Sequence, residues 1–252
     1  MLESRAETVK LGAPNAMAVS QHAQAPRSLM ALPEELKRAI ANGEYAPGAK
    51  LVERELALKY GVGRTAVRDA LRYLDAERII VLTENRGARI RELSYAEAAD
   101  IYQVRSVLEG LAGELFAVRG TAAEKVVFAK SLEPVREAME NLDITGALLA
   151  SDVYYSHLLN GARNFELYEV VERLHVRISQ LRRVSLSMSD RAQATIESLQ
   201  RIVNAVLAGD PVEARLACVE HVRAAAAATL PVLAATGEKP DAEPKICGLP
   251  SS

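Results

Sequence analysis

The sequence predicts a mainly α chain in two parts: a small amino-terminal module of three helices closed by a β-hairpin, then a larger antiparallel all-helical bundle. Three observations carry this. Aromatic residues make up 4% of the chain, with no Trp, while Ala and Leu abound, a mix that favours helix over strand. The clearest strand-and-turn signal is confined to residues 79–91. Beyond Leu93, helix-length segments are separated by short Gly, Asn and Pro breaks, which implies antiparallel neighbours. At 252 residues, 49% of them hydrophobic, the chain can bury one or two cores without staples.

Residues 1–29 mix Ala, Gln, Ser and Pro without periodicity and read as a disordered tail; residues 236–252, rich in Pro and Gly, read as a second. A first helix starts at Pro33, carries Leu36 and Ile40 and ends near Asn42-Gly43. Pro47-Gly48 is a turn signal, and Leu51 begins a short strand. A second helix covers residues 53–60 and is closed by Gly61. The third covers 64–76, where Val67, Leu71 and Leu74 form a buried stripe at i, i+4 and i+7. Strands at 79–83 and 88–91 flank the turn Glu84-Asn85-Arg86-Gly87. Three helices followed by a hairpin make a winged helix-turn-helix over residues 30–92. Residues 93–235 read as six helices, at roughly 94–119, 121–140, 146–160, 164–186, 189–208 and 210–234, with Thr121, Asn164 and Ser189 as N-caps.

Charge is almost balanced. The net charge is −2, and residues 30–92 carry twelve Lys and Arg against ten Asp and Glu, so placement rather than total charge must identify a partner. Cys218 and Cys247 lack metal-ligand spacing and read as reduced thiols of a cytoplasmic protein. No charged segment followed by an apolar stretch opens the chain, and the longest near-apolar run, 224–235, is too short to span a bilayer, so no membrane association is expected.

The most informative stretch is Val52 to Leu71, VERELALKYGVGRTAVRDAL, which reads as a helix-turn-helix motif. Arg64, Arg68 and Arg72 repeat every four residues on the face opposite Val67, Leu71 and Leu74, with Thr65 beside them at the helix start. A recognition helix packs one side on its partner and offers polar side chains at its amino-terminal end to base edges. The arginine fork meets guanine O6 and N7 together, for about 1–3 kcal/mol of discrimination. Thr65 and the opening amides suit a phosphate, Arg54 can reach the backbone or a base, and Arg86 at the hairpin tip can enter a minor groove. Arginines at this spacing are ordinarily a solvated face. The preceding helix, the Gly61 turn and Arg86 turn the reading towards duplex DNA, except for Arg72, which suits solvent or phosphate.

These residues resemble a known family. IANGEYAPGAKLVERELALKYGV and RTAVRDALRYL are similar to the winged-helix domain of GntR-type bacterial transcription regulators. YQVRSVLEGLAGELFA and AVLAGDPVEARLACVEHV resemble its FadR branch, with an FCD-type effector domain. The resemblance covers residues 30–235. It implies a cytoplasmic homodimer on a short palindromic operator in double-stranded DNA, controlled by a small carboxylate metabolite, more commonly as a repressor. By motif match its DNA contacts fall on Arg54, Arg64, Thr65, Arg68 and Arg86. Three positions depart from the family pattern. Gly63 stands where Ser or Thr is usual, Ala66 where Pro is usual, and Arg78 near a customary Gly, which forces a non-Gly residue towards the left-handed region at a cost of about 1 kcal/mol.

The resemblance also implies an effector cavity. FCD-type domains commonly hold a divalent metal, zinc or similar, on one Asp and three His. By motif spacing Asp152 takes the carboxylate position and His221 the last histidine position. Ser156 stands four residues after Asp152, His157 lies about 140° around the helix, and the remaining histidine position falls on Leu199. A metal on Asp152, His157 and His221 would fall short of the usual four ligands. The alternative is a metal-free pocket in which Asp152, Tyr155, His157 and His221 bond the effector directly and Arg105 adds a fork for a carboxylate. Arg105 can equally pair with Glu109 one turn on. Of the adjacent Tyr154 and Tyr155, one lines the cavity and the other packs between helices, and His175 reads as structural. An enzyme is disfavoured: there is no phosphate-binding glycine loop, no G-x-S-x-G elbow and no Cys-His pair in a suitable setting.

Overall fold

The computed structural model describes residues 31–83, 87–188 and 191–236. The amino-terminal module comprises α1 (Ala31–Ala41), β1 (Lys50–Leu51), α2 (Glu53–Tyr60), α3 (Arg64–Ala76), β2 (Ile80–Thr83) and β3 (Gly87–Ile90). The strands form an antiparallel sheet in the order β1-β3-β2, with Leu51 opposite Ala88 and Ile80 opposite Ile90. That register turns Leu51, Ile80, Ala88 and Ile90 onto one buried face, against Leu36 and Ile40 of α1, Leu56 of α2, and Val67, Leu71 and Leu74 of α3. Gly61 ends α2 in the left-handed conformation (φ 65°, ψ 36°), its N–H donating to the Ala57 carbonyl, which lets the chain turn sharply into α3.

The second helix read at 53–60 has those bounds in α2, and the motif opens one residue earlier on its cap. Val52, its first residue by sequence, is not helical: it is the N-cap of α2, with extended backbone (φ −97°, ψ 115°). Its carbonyl accepts from the Leu56 amide at 3.0 Å, but an aliphatic side chain has no oxygen to offer the opening amides, so the cap is made by backbone alone. At the other bound, Leu71 lies inside α3, which continues to Ala76.

The bundle follows as α4 (Tyr95–Arg119), α5 (Ala122–Lys130), α6 (Leu132–Glu140), α7 (Ile144–Gly161), α8 (Phe165–Leu186), α9 (Ala192–Ala208) and α10 (Pro211–Thr236). Ser94 with Glu97 and Thr121 with Glu124 form reciprocal capping boxes at the starts of α4 and α5. Asp143 and Asn164 cap α7 and α8 by accepting from the Gly146 and Leu167 amides. The single helix expected over 121–140 is in fact two, meeting at Ser131. Pro134 explains the break: it has no N–H for the Lys130 carbonyl, and its ring crowds that turn. The helix read from 146 begins two residues earlier, at Ile144 after its Asp143 cap, and Ser189 lies outside the described residues.

The apolar run read at 224–235 belongs to a longer helix. By length and composition α10 could cross a bilayer, but its Ala214, Ala217, Cys218, Val222 and Ala225 are buried in the bundle core. Its backbone approaches α4 closely at two glycines. A Cβ at Gly113 would meet Cys218 Sγ at 2.7 Å and the Ala214 carbonyl at 2.9 Å, and one at Gly110 would meet Val219 Cγ2 at 2.9 Å.

The two cores share one element. Val176 of α8 is buried among the residues of the amino-terminal module, and Gln180 Nε2, one turn on, donates to the Arg91 carbonyl at 3.3 Å. The chain crosses between the modules at Arg91, whose guanidinium pairs with Glu97 at 2.7 Å.

Candidate nucleic-acid interface and ligand cavity

The packing of α3 decides what it offers outward. Val67, Ala70, Leu71 and Leu74 are buried, which leaves Arg64, Thr65, Arg68 and Arg72 exposed on the opposite side. Arg68 is 59% exposed, and its Nε is held by the Glu53 carboxylate of α2 at 3.0 Å. Arg72 sits 3.5 Å from Asp69. Arg54 is exposed on α2, and among the described residues neither it nor Arg64 has a carboxylate partner. The two residues that bound the motif, half-buried Val52 and buried Leu71, offer no polar side-chain atom to DNA; they shape the motif and do not read. The N-cap of α3 is Gly63, which supplies no side-chain bond, so the opening amides of the helix remain available to an anion such as phosphate. Arg86 lies outside the described residues. Arg78, two residues beyond α3, has φ 57°, the left-handed conformation foreseen from the missing glycine.

Inside the bundle a cavity of about 20 Å³, room for one water molecule, lies between α4, α6, α7, α8, α9 and α10. Its polar lining is Arg105, Ser151, Tyr155, Arg182, Ser185, Arg191, Thr195 and His221, with Val135, Leu186, Leu199 and Ala225 as the apolar part. Arg105 is buried and makes the pair with Glu109 that its spacing allowed, Nε bonding Glu109 at 2.5 Å, while Nη2 donates to the Tyr155 hydroxyl at 3.2 Å on the cavity wall. Tyr155 is the cavity-lining member of the tyrosine pair. Tyr154 packs against Phe128 and donates to the Leu199 carbonyl at 3.2 Å.

The imidazole of His221 is engaged at both nitrogens, with the Tyr155 hydroxyl 2.7 Å from Nε2 and Ser198 Oγ 2.7 Å from Nδ1. Ser198 donates its one proton to the Thr195 carbonyl at 2.8 Å. It therefore accepts from Nδ1–H, and Nε2 accepts from Tyr155, which in turn accepts from Arg105. Burial, with Arg105, Arg182 and Arg191 nearby, lowers the His221 pKa to about 3, so the ring is neutral. Burial, together with Glu109, raises Tyr155 to about 12.

Asp152 and His157 do not join this set. Asp152 binds Arg182 Nη1 at 2.7 Å and lies 3.6 Å from His175 Nε2, so its carboxylate backs the cavity instead of lining it. His175, read as structural, is part of that pair. His157 is half-buried on α7 and absent from the lining. On α7 the four-residue spacing that faces the cavity is Ser151 and Tyr155, one residue earlier than Asp152 and Ser156. The set Asp152, His157 and His221 is therefore not brought together, and among the described residues no group of three His, Cys, Asp or Glu side chains gathers to hold a metal. The cavity presents one imidazole with both nitrogens occupied, beside arginines, a donor set that does not fit zinc.

Arg182 and Arg191 were not legible as site residues. The available signal was on α8, where Ile178, Leu181 and Ser185 share a buried stripe with Arg182, a charged residue set into an otherwise core-facing row.

A winged helix-turn-helix with an exposed arginine face, joined to a helical bundle, is the architecture of a DNA-binding regulator. Residues 31–90 match the bacterial regulatory proteins of the gntR family, and residues 100–224 match the FCD domain. The probable D-xylose utilization operon transcriptional repressor of Paenarthrobacter nicotinovorans is 32% identical over 192 residues, 75% of this chain and 83% of that protein. The HTH-type transcriptional repressor GlaR of Escherichia coli (strain K12) is 28% identical over 198 residues, 74% of this chain and 89% of its own. Among solved structures, E. coli McbR/YncC superposes with a TM-score of 0.72 at 20% identity, over 82% of this chain and 97% of that one, a likeness of fold. The chain belongs to the gntR family and is a DNA-binding transcription regulator, not an enzyme.

Proposed function

We propose that this chain is a cytoplasmic, homodimeric repressor that binds a palindromic operator through residues 30–92 and is controlled by a small organic acid bound in residues 93–235. The observation that carries the DNA half is the exposed arginine side of α3 beside an N-terminus without a side-chain cap. Arg64 and Arg68 read base edges, Thr65 and the opening amides hold a phosphate, and Arg54 and Arg86 contact the backbone or minor groove. A dimer sets two such helices about one helical turn apart. The acid half rests on the arginines of the cavity, where Arg191 has no carboxylate partner among the described residues and bonds Ser185 Oγ at 2.8 Å. An acid would bond Arg105, Arg182, Arg191, Tyr155 and His221 directly, without a metal. Repression is favoured because two relatives carry that name.

The test is selection of duplexes from a random pool by the full chain, followed by footprinting. A recovered palindrome that the Arg68→Ala variant no longer protects supports the reading. A footprint unchanged in that variant, or no enrichment even at low salt, overturns it.

A further inference from the structure

The cavity as it stands has room for one water molecule. An organic acid can enter only if a wall moves. The α4–α10 wall is poorly suited to moving: their backbones meet at Gly110 and Gly113, and Arg105 is clamped by Glu109. The opposite wall is α8. Among the described residues, the buried side-chain atoms without a protein hydrogen-bond partner are Arg177 Nε, Ser179 Oγ, Arg182 Nε and Arg183 Nη1, all of them within two turns of α8. Buried groups are ordinarily paired, and a cluster of exceptions marks an element that is not at its best in this arrangement. On the side of α8 away from the cavity lies an open groove of about 580 Å³, lined by Gln180, Arg183, Val184 and Ser187 of the same helix. α8 thus has space on both flanks.

Arg182 links the helix to the cavity. It is 8% exposed, lies 4.1 Å over the Tyr155 ring, and spends Nη1 on Asp152 while Nε has no partner. The other end of the same stretch is Val176, embedded in the amino-terminal core.

Building on the effector reading above, we propose that Arg182 is the residue through which the anion is sensed, and that α8 carries occupancy of the cavity to the DNA-reading module through Val176. A carboxylate that takes the Arg182 fork supplies the missing partner at Nε and competes with Asp152 for the remaining nitrogens. The helix shifts to accommodate it, and Val176 shifts with it. The ligand then favours one arrangement of the two modules over the other, which is the requirement for a switch.

The test uses the full chain, the selected duplex, and acetate, lactate, succinate and citrate as probes, with acid binding measured by calorimetry and duplex affinity measured with and without acid. Arg182→Gln is expected to weaken binding of the responding acid by about tenfold or more, the loss of a charge-assisted bond, and Arg182→Lys to restore part of it. Val176→Ala is expected to bind that acid within about twofold of the parent while losing most of the acid-induced change in duplex affinity, a ratio that general destabilisation does not move. Val176→Leu serves as the second variant if the alanine form unfolds. Parental acid binding in Arg182→Gln, or a parental acid response in both Val176 variants, overturns the proposal and leaves the effector reading standing. Failure of every acid to bind the parent overturns both.

Discussion

Acidification from pH 7 to pH 5 should destabilise this protein through His221 in particular. The ring is buried, neutral and held at about pKa 3 in the fold, against an ordinary 6.5 in the unfolded chain. Between those two values the unfolded state binds the proton and the folded state does not. Stability is therefore level above pH 6.5 and falls as pH drops below it, by about 1.4 kcal/mol per unit. From pH 7 to pH 5 the loss assigned to His221 is about 2 kcal/mol. The cause is geometric: Nε2 already accepts from Tyr155, so a proton there would break that bond and place a cation beside Arg105, Arg182 and Arg191. Urea unfolding of the parent and of His221→Gln at both pH values measures the difference. The variant should be less stable at pH 7 and lose about 2 kcal/mol less than the parent on acidification. Equal losses in the two proteins would refute both the neutral ring and the proton order assigned to the chain Arg105, Tyr155, His221, Ser198.

Three further outcomes are expected. Glu53→Gln frees Arg68 from its carboxylate and removes a negative charge beside the reading face, so duplex affinity should rise by a fewfold at low salt and less at high salt, as read by titration at two ionic strengths. Arg78→Gly relieves a left-handed side chain and should raise the unfolding free energy by up to about 1 kcal/mol, since the glycine returns part of the gain as unfolded-state entropy; unchanged or lower stability in urea would count against strain at that residue. Gly113→Ala drives a methyl into Cys218 and the Ala214 carbonyl and should cost about 1–3 kcal/mol, seen as a lowered thermal midpoint, whereas a neutral result would show that α4 and α10 can move apart.

The reading module was legible because its information is local. The stripe Val67, Leu71, Leu74 fixes which side of α3 is buried, and helical periodicity then places Arg64 and Arg68 outward with no knowledge of the rest of the chain. Gly61 announces its turn by residue type, whereas the left-handed Arg78 was foreseen only from the family resemblance, which places a glycine near that point. The helix at 53–60 was legible from its own residues and the Gly61 stop, although Val52 is a residue type that seldom caps a helix. The break at Ser131 was missed although Pro134 marks it, because a proline in the first turn of a new helix looks much like one inside a longer helix.

The cavity is different in kind. Its walls come from six helices, and whether a side chain faces it depends on each helix's rotation, where one residue is 100°. A shift of one position on α7 exchanges Ser151 and Tyr155 for Asp152 and Ser156, and the sequence holds plausible polar residues at both registers. The amino-acid order by itself determined the helices, the hairpin and the outward arginines, since these follow from backbone geometry within a few residues. Tertiary packing alone decided that Arg182 and Arg191 meet His221, that both nitrogens of that ring are occupied, and that α8 belongs to both cores, because each is a contact between segments whose relative rotation is set by how the whole bundle closes.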